Sequence, residues 1–217
     1  TGKTILKREG ENVRDGTGLV LVLSGPSGAG KGTICESFMH KNHDVKLSVS
    51  TTTREKRNGE VEGVSYNFIT KEEFEHSLKN NGFLEHVHVF GNYYGTPRSV
   101  VEENINKGID VLLEIEIVGA MQIKEKYPDA VLIFVLPPTI CELEKRIVKR
   151  GTETKDQIKD RLSRALSEIR KINEYSYFIV NNDVEEAVSY MESIIKAEKS
   201  SVKRYSEQII NLYQEEK

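Results

Sequence analysis

Residues 24–33 read SGPSGAGKGT. Gly25, Gly30 and Lys31 occupy the fixed positions of G-x-x-x-x-G-K-[ST], a loop whose backbone N–H groups cradle phosphates while its lysine reaches the outer ones. Gly32 stands where the strict pattern has a hydroxyl, and Thr33 supplies that hydroxyl one place later. In the strict motif the hydroxyl ligates Mg2+, so here the metal that accompanies a nucleotide has to find its protein donors elsewhere. The loop by itself predicts binding of a nucleoside triphosphate and not a reaction. A GTPase would add a guanine-reading N-K-x-D segment, which the chain lacks.

A second cluster follows in SVSTTTREKRNGEVEGVSYNF, residues 48–68. Arg54 and Arg57 lie three apart just past a predicted strand end, with Tyr66 downstream. Two guanidinium groups and a phenol suit a second phosphate group. Alone they would read as a solvated basic turn. Together with a phosphate loop they point to a second nucleotide.

These residues need a scaffold. LVLVLS, ending at Ser24, is a short apolar run that predicts a buried strand, and Ile34 and Phe38 then recur at helical spacing. Strand, glycine loop and helix is the context the loop requires; an ordinary glycine-rich turn is the plainer alternative. VKLSVS (45–50) predicts a second strand. SYNFIT and FLEHVHVF predict strands within a small mixed insertion, around a helix opened by the capping box Thr70 and Glu73. Thr96-Pro97 predicts a helix start, with the helix ended by Gly108. VLLEIE (111–116) and VLIFVL (131–136) are continuous apolar runs expected of strands covered on both faces. Thr139 with Glu142 predicts another capping box. Ile158, Leu162, Ala165 and Ile169 trace a thin apolar stripe in a charged stretch, as in a helical hairpin lying over the sheet. YFIVNND predicts the last strand, and Asp183 with Glu186 caps a long final helix. Alternating strands and helices give an α/β chain with a parallel central sheet.

Composition sets outer bounds. The 217 residues suffice for one compact domain with small insertions, and 30% charged residues with a net charge of −3 describe a solvated surface whose bulk charge does not suggest nucleic acid, so that any anion site must be local. No apolar run approaches a membrane span, so neither nucleic acid nor membrane is an expected partner, and the cytoplasm is the expected location. Cys35 and Cys141 have no metal-ligand spacing and are read as reduced, buried thiols. The polar residues 1–17 read as a tail, and the charged C-terminal helix as solvated rather than as an assembly surface.

GPSGAGKGT, SVSTTTR with R-x-GE and Y-x-F downstream, FLE, GNYYGTP, PP, KR with RGTE, and VNND occur in that order from about Leu19 to about Lys199. The chain resembles the guanylate kinases. The resemblance implies transfer of the γ-phosphate of ATP to GMP or dGMP, with Mg2+ accompanying ATP. It implies a core at 18–50, a GMP-binding subdomain at 51–96, core again at 97–140, a lid at 141–172, and core with the C-terminal helix at 173–217. By the same likeness Ser27, Gly28, Ala29, Gly30, Lys31, Gly32, Thr33 and Asn181 meet ATP. Ser50, Arg54, Arg57, Tyr66, Glu85, Tyr94, Thr96 and Glu114 meet GMP. Lys31, Arg54, Arg146, Arg150 and Arg161, with Arg164 beside them, carry the positive charge of catalysis. Glu60 orients, and His86 and His88 are ordinary strand residues.

The chemistry of guanine agrees with that assignment: its N1–H and 2-amino group lie side by side for one carboxylate, Glu85, whereas adenine offers no N1–H and would leave a buried charge unpaired. The chain departs from the family where Glu116 replaces the usual Asp near the metal's water shell; no direct protein ligand for the metal is expected. Asn182 stands where Asp is frequent and takes no role. Two other readings stay open on the residues: a protein-binding module of guanylate-kinase type that has lost catalysis, and a kinase for another nucleoside monophosphate.

Overall fold

A computed structural model describes residues 17–89, 91–149 and 155–214. The tail assigned to 1–17 lies outside them except for Thr17, as does Arg150. Val20–Ser24 (β1) is buried throughout and forms the middle of a five-stranded sheet. Val111–Glu114 (β7) pairs with one edge of β1 and Val131–Leu136 (β8) with the other, both parallel. Lys46–Leu47 (β2) lies outside β7 and Tyr177–Val180 (β9) outside β8, again parallel. Interior strands covered on both faces explain the unbroken apolar runs of β1, β7 and β8. On one face Leu21, Leu23, Ile133 and Val135 pack with Ile34 and Phe38 of Lys31–Lys41 (α1) and Val188 and Met191 of Val184–Glu198 (α7). On the other, Val20, Val22 and Leu113 pack with Val101 of Arg98–Ile105 (α3) and Ala120 and Ile123 of Ile117–Lys126 (α4).

A second sheet has four strands in the order β4-β3-β6-β5, namely Asn67–Phe68, Thr51–Thr52, Asn92–Pro97 and Phe83–Val89. Lys71–Lys79 (α2) opens with both halves of the Thr70–Glu73 capping box, a feature worth about 1 kcal/mol. Its buried Phe74 stacks on Phe83 with ring centroids 4.3 Å apart. Ile140–Lys149 (α5) and Lys155–Ile169 (α6) build their own small core from Leu143, Ile147 and Ala165, flanked by Ile158 and Leu162. Among the described residues no helix is long and apolar enough to cross a membrane.

Several expectations are corrected. The strand expected at 45–50 stops at Leu47, and the chain then runs extended into β3 of the other sheet. Thr96 belongs to β6 and does not cap α3; the N-cap is Pro97, and the Thr96 hydroxyl is taken by Glu85. The strand 111–116 ends at Glu114, and Glu116 is the N-cap of α4, a helix opened by the turn of its backbone. Thr139 does cap α5, but the Glu142 carboxylate accepts from Arg146. Cys35 is buried whereas Cys141 is exposed, because α5 turns it away from the Leu143–Ile147 face. The final helix is two, α7 and Val202–Gln214 (α8), broken around Ser200.

Candidate active site

The carboxyl ends of β1 and β7 open onto a cleft of about 430 Å³ lined by Ser27, Gly28, Gly30, Lys31, Gly32, Thr33, Ser50, Tyr66, Glu85, Tyr94, Glu114 and Glu116, among others. Binding at the carboxyl ends of parallel strands is the rule for open α/β sheets. The loop between β1 and α1 owes its shape to three glycines with positive φ, Gly25 at 146°, Gly28 at 93° and Gly30 at 94°. A Cβ on Gly30 would also strike the side-chain amide of Asn181. Gly32 differs: it is helical, and a Cβ there would sit 3.6 Å from Glu114 Oε1, an ordinary contact.

Lys31 donates to the carbonyl of Gly25 at 2.6 Å, across the mouth of its own loop. Asn181, which follows β9, is buried and donates its amide to Ala29 O at 2.8 Å. Arg146 on α5 reaches the same carbonyl at 3.3 Å and the carbonyl of Asn181 at 3.1 Å. Asn181 and Arg146 therefore brace the loop from behind.

On the second sheet, Glu85 is 3% exposed, and its Oε1 accepts the Thr96 hydroxyl at 2.7 Å. Burial raises its pKa above the ordinary carboxyl value, against the opposing pull of Thr96 and Lys126. Arg54 is fixed by Glu60 at 2.6 Å, and its guanidinium lies 5.5 Å from the Tyr66 ring centroid. Tyr94 meets Tyr66 edge-on at 5.9 Å. The other oxygen of Glu60 accepts the backbone N–H of Arg57 at 2.8 Å, so one carboxylate shapes the turn carrying both arginines; the hydrogen bond from Arg54 lowers its pKa. The Arg57 side chain is exposed.

Between the two sets, Glu114 is held above the ordinary carboxyl pKa by burial, with Lys31 pulling it back. Glu116 also lines the cleft and pairs with Arg164 of α6 at 2.9 Å. Arg161 and Arg164 line a smaller recess with Gly25, Ser27 and Glu116. Sequence reasoning missed Ser48, whose buried side chain shares the cleft wall with Ser50. The signal was available only in part: the predicted strand 45–50 would put residues 48 and 50 on one face, but the strand ends at Leu47 and residues 47–50 all line the cleft.

The family model for guanylate kinase matches residues 18–198. This chain belongs to the guanylate kinase family. It is 53% identical over 199 residues to the guanylate kinase of Clostridioides difficile, covering 92% of this chain and 97% of that one. It is 52% identical over 194 residues to that of Clostridium acetobutylicum, covering 89% and 92%. The crystal structure of guanylate kinase from Anaplasma phagocytophilum superposes with a TM-score of 0.73 at 37% identity, covering 86% of this chain and 89% of that one.

Proposed function

We propose that this chain transfers the γ-phosphate of ATP to GMP, and to dGMP, yielding ADP and GDP. The observation that carries the proposal is a buried carboxylate, Glu85, held by Thr96 and opening onto the same cleft as a glycine phosphate loop. In this reading 51–96 is the acceptor-binding subdomain and 141–172 the lid.

Glu85 accepts from guanine N1–H and the 2-amino group, with Ser50 and Thr96 beside the base. Arg54, Arg57, Tyr66 and Tyr94 clamp the GMP phosphate, and Glu60 holds the Arg54 side chain and the Arg57 backbone at the turn. The loop from Ser27 to Thr33 cradles the ATP phosphates, with Lys31 leaving its carbonyl partners to meet them. Phosphoryl transfer passes through a loose transition state whose charge spreads over the equatorial oxygens, so catalysis is positioning plus charge stabilisation. Lys31, Arg146, Arg150, Arg161 and Arg164 supply that positive charge. Closing the lid removes water that would otherwise compete as acceptor.

The residues fit a Mg2+ that travels with ATP. An ion of this kind is bound largely by substrate phosphates and water, with one or two protein carboxylates. Glu114, next to Gly32, and Glu116 are the carboxylates available to hold its water shell. When bound, the ion neutralises charge on the transferred group.

ADP formation measured with GMP, dGMP, AMP and UMP tests the proposal. GMP and dGMP should turn over and AMP and UMP should lag by orders of magnitude. Preference for AMP would overturn the role of Glu85, and no turnover with any acceptor would favour the protein-binding reading.

A further inference from the structure

Glu85 sits where its own sheet holds it least. β5 is the outermost strand of the four-stranded sheet, and its register with β6 shifts between Phe83 and His86. Across that irregularity the ladder cannot fix the strand by regular pairing. The free edge is met by α4. Gln122 Oε1 accepts the His86 N–H at 3.2 Å, and its amide donates to the His86 carbonyl at 2.8 Å. The side chain thus pairs both backbone groups of His86 as a neighbouring strand would. One turn on, Lys126 donates to the carbonyl of Leu84. One turn back is Gly119, where an added Cβ would overlap Glu85 Oε2 and lie 2.9 Å from its Cδ. Residues 119, 122 and 126 are spaced i, i+3, i+7 and share one helix face. The backbone on either side of Glu85 is gripped, and the space its carboxylate occupies exists because position 119 lacks a side chain.

We infer that this face of α4 sets the position of the acceptor-reading carboxylate, making Gly119, Gln122 and Lys126 positioning residues for base specificity. The inference rests on the reading of Glu85 as the group that meets guanine. It also links two parts of the cleft, because α4 begins at Glu116, beside the loop and the lid. Only Gly119 fits under Glu85; an isolated glycine in a helix otherwise costs stability.

The test compares GMP with inosine monophosphate, which keeps N1–H but lacks the 2-amino group. Gln122→Ala removes the grip on His86 without touching the carboxylate. It should raise KM for GMP about tenfold, with KM for ATP and kcat at saturating GMP little changed. Its preference for GMP over inosine monophosphate should fall correspondingly. Gly119→Ala pushes the carboxylate itself and should cost about 100-fold in kcat/KM for GMP. A staple that serves stability alone would lower the melting temperature and leave the GMP-to-inosine ratio at its wild-type value, which would overturn the inference. If Gly119→Ala does not fold, Gln122→Ala decides. Wild-type enzyme that ignores GMP would instead overturn the proposed function, so the two failures are distinguishable.

Discussion

At the scale of single residues, two carboxyls carry the electrostatics of the cleft. Burial raises the pKa of Glu85 and of Glu114 above the ordinary value. A carboxyl whose folded pKa is raised binds more protons folded than unfolded, so stability falls as pH climbs from the unfolded value through the folded one. Glu85→Gln should therefore raise the melting temperature of the free protein. The gain should vanish well below the ordinary carboxyl pKa, where both states are protonated, and should widen toward neutrality, as thermal scans across pH would show. The same variant should lose about 100-fold or more in kcat/KM for GMP, because two charge-assisted hydrogen bonds are replaced by a poorer match. In the wild type, KM for GMP should climb as pH falls through the raised pKa of Glu85, at a higher pH than an ordinary Glu would give. That acidic limb should vanish in Glu85→Gln. Part of this was legible in the sequence: FLE and the glycine loop mark residues that line one cleft, while of the paired arginines Arg54 lies against the cleft's Tyr66 and Arg57 is exposed. The partner of Thr96 was not. A Thr before Pro has the signature of a helix cap, and only the antiparallel register of β5 and β6 puts its hydroxyl on Glu85.

At the scale of elements, α5 and α6 form a unit with its own core, and part of its tie to the parallel sheet is polar. Arg164 pairs with Glu116 at 2.9 Å, both side chains more than two-fifths exposed, a contact worth under about 1 kcal/mol. Arg146, by contrast, is lodged among the carbonyls of Ala29 and Asn181. The two arginines should separate by readout. Arg164→Gln should leave the melting temperature nearly unchanged while lowering kcat. Arg146→Ala should lower both, because the loop loses a brace as well as a charge. Arg161→Ala should cut kcat by about 10³-fold if it acts as a built-in arginine finger, with KM for GMP held within a few-fold. Glu116→Asp shortens the reach to Arg164 by a methylene; activity should persist with a changed ratio of Mg2+ to Mn2+ rates, and an unchanged ratio would remove Glu116 from the metal's surroundings. Elements with long unbroken apolar runs or reciprocal caps were legible from pattern alone. The two-residue strand β3 was not, since so few residues carry no period and its place is set by pairing with β4 and β6; β2 and β4 fall inside the predicted VKLSVS and SYNFIT strands but are much shorter. α4 was hidden because it begins directly at the end of the LEIE run without a side-chain cap.

At the scale of the whole molecule, chemistry and anchoring occupy opposite ends of the parallel sheet. The cleft lies at the carboxyl ends of β1 and β7. At their amino ends, Asp110 accepts the Leu19 N–H at 2.9 Å and meets Lys199 at 2.5 Å. The neighbouring Glu198 takes the Tyr177 hydroxyl at 2.6 Å and Arg204 of α8 at 2.5 Å. Asp110 is 4% exposed, whereas the Lys199 side chain is 30% exposed. Removing the cation would strand a buried carboxylate, a loss of several kcal/mol for a fully buried pair and about 1–3 kcal/mol once the wetter lysine is allowed for. Lys199→Met should then lower the melting temperature by roughly 2–10 °C. Deleting residues 201–217 should cost less, since no described side chain of α8 is fully buried. Neither change should shift kcat or either KM beyond about twofold, because local losses far from a site act through the folded fraction and not through the barrier. Thermal denaturation run beside the ADP assay checks this. A fall in kcat at temperatures where the variant is fully folded would mean that the far end of the sheet is coupled to the cleft, through β1 and β7 as the shortest covalent route.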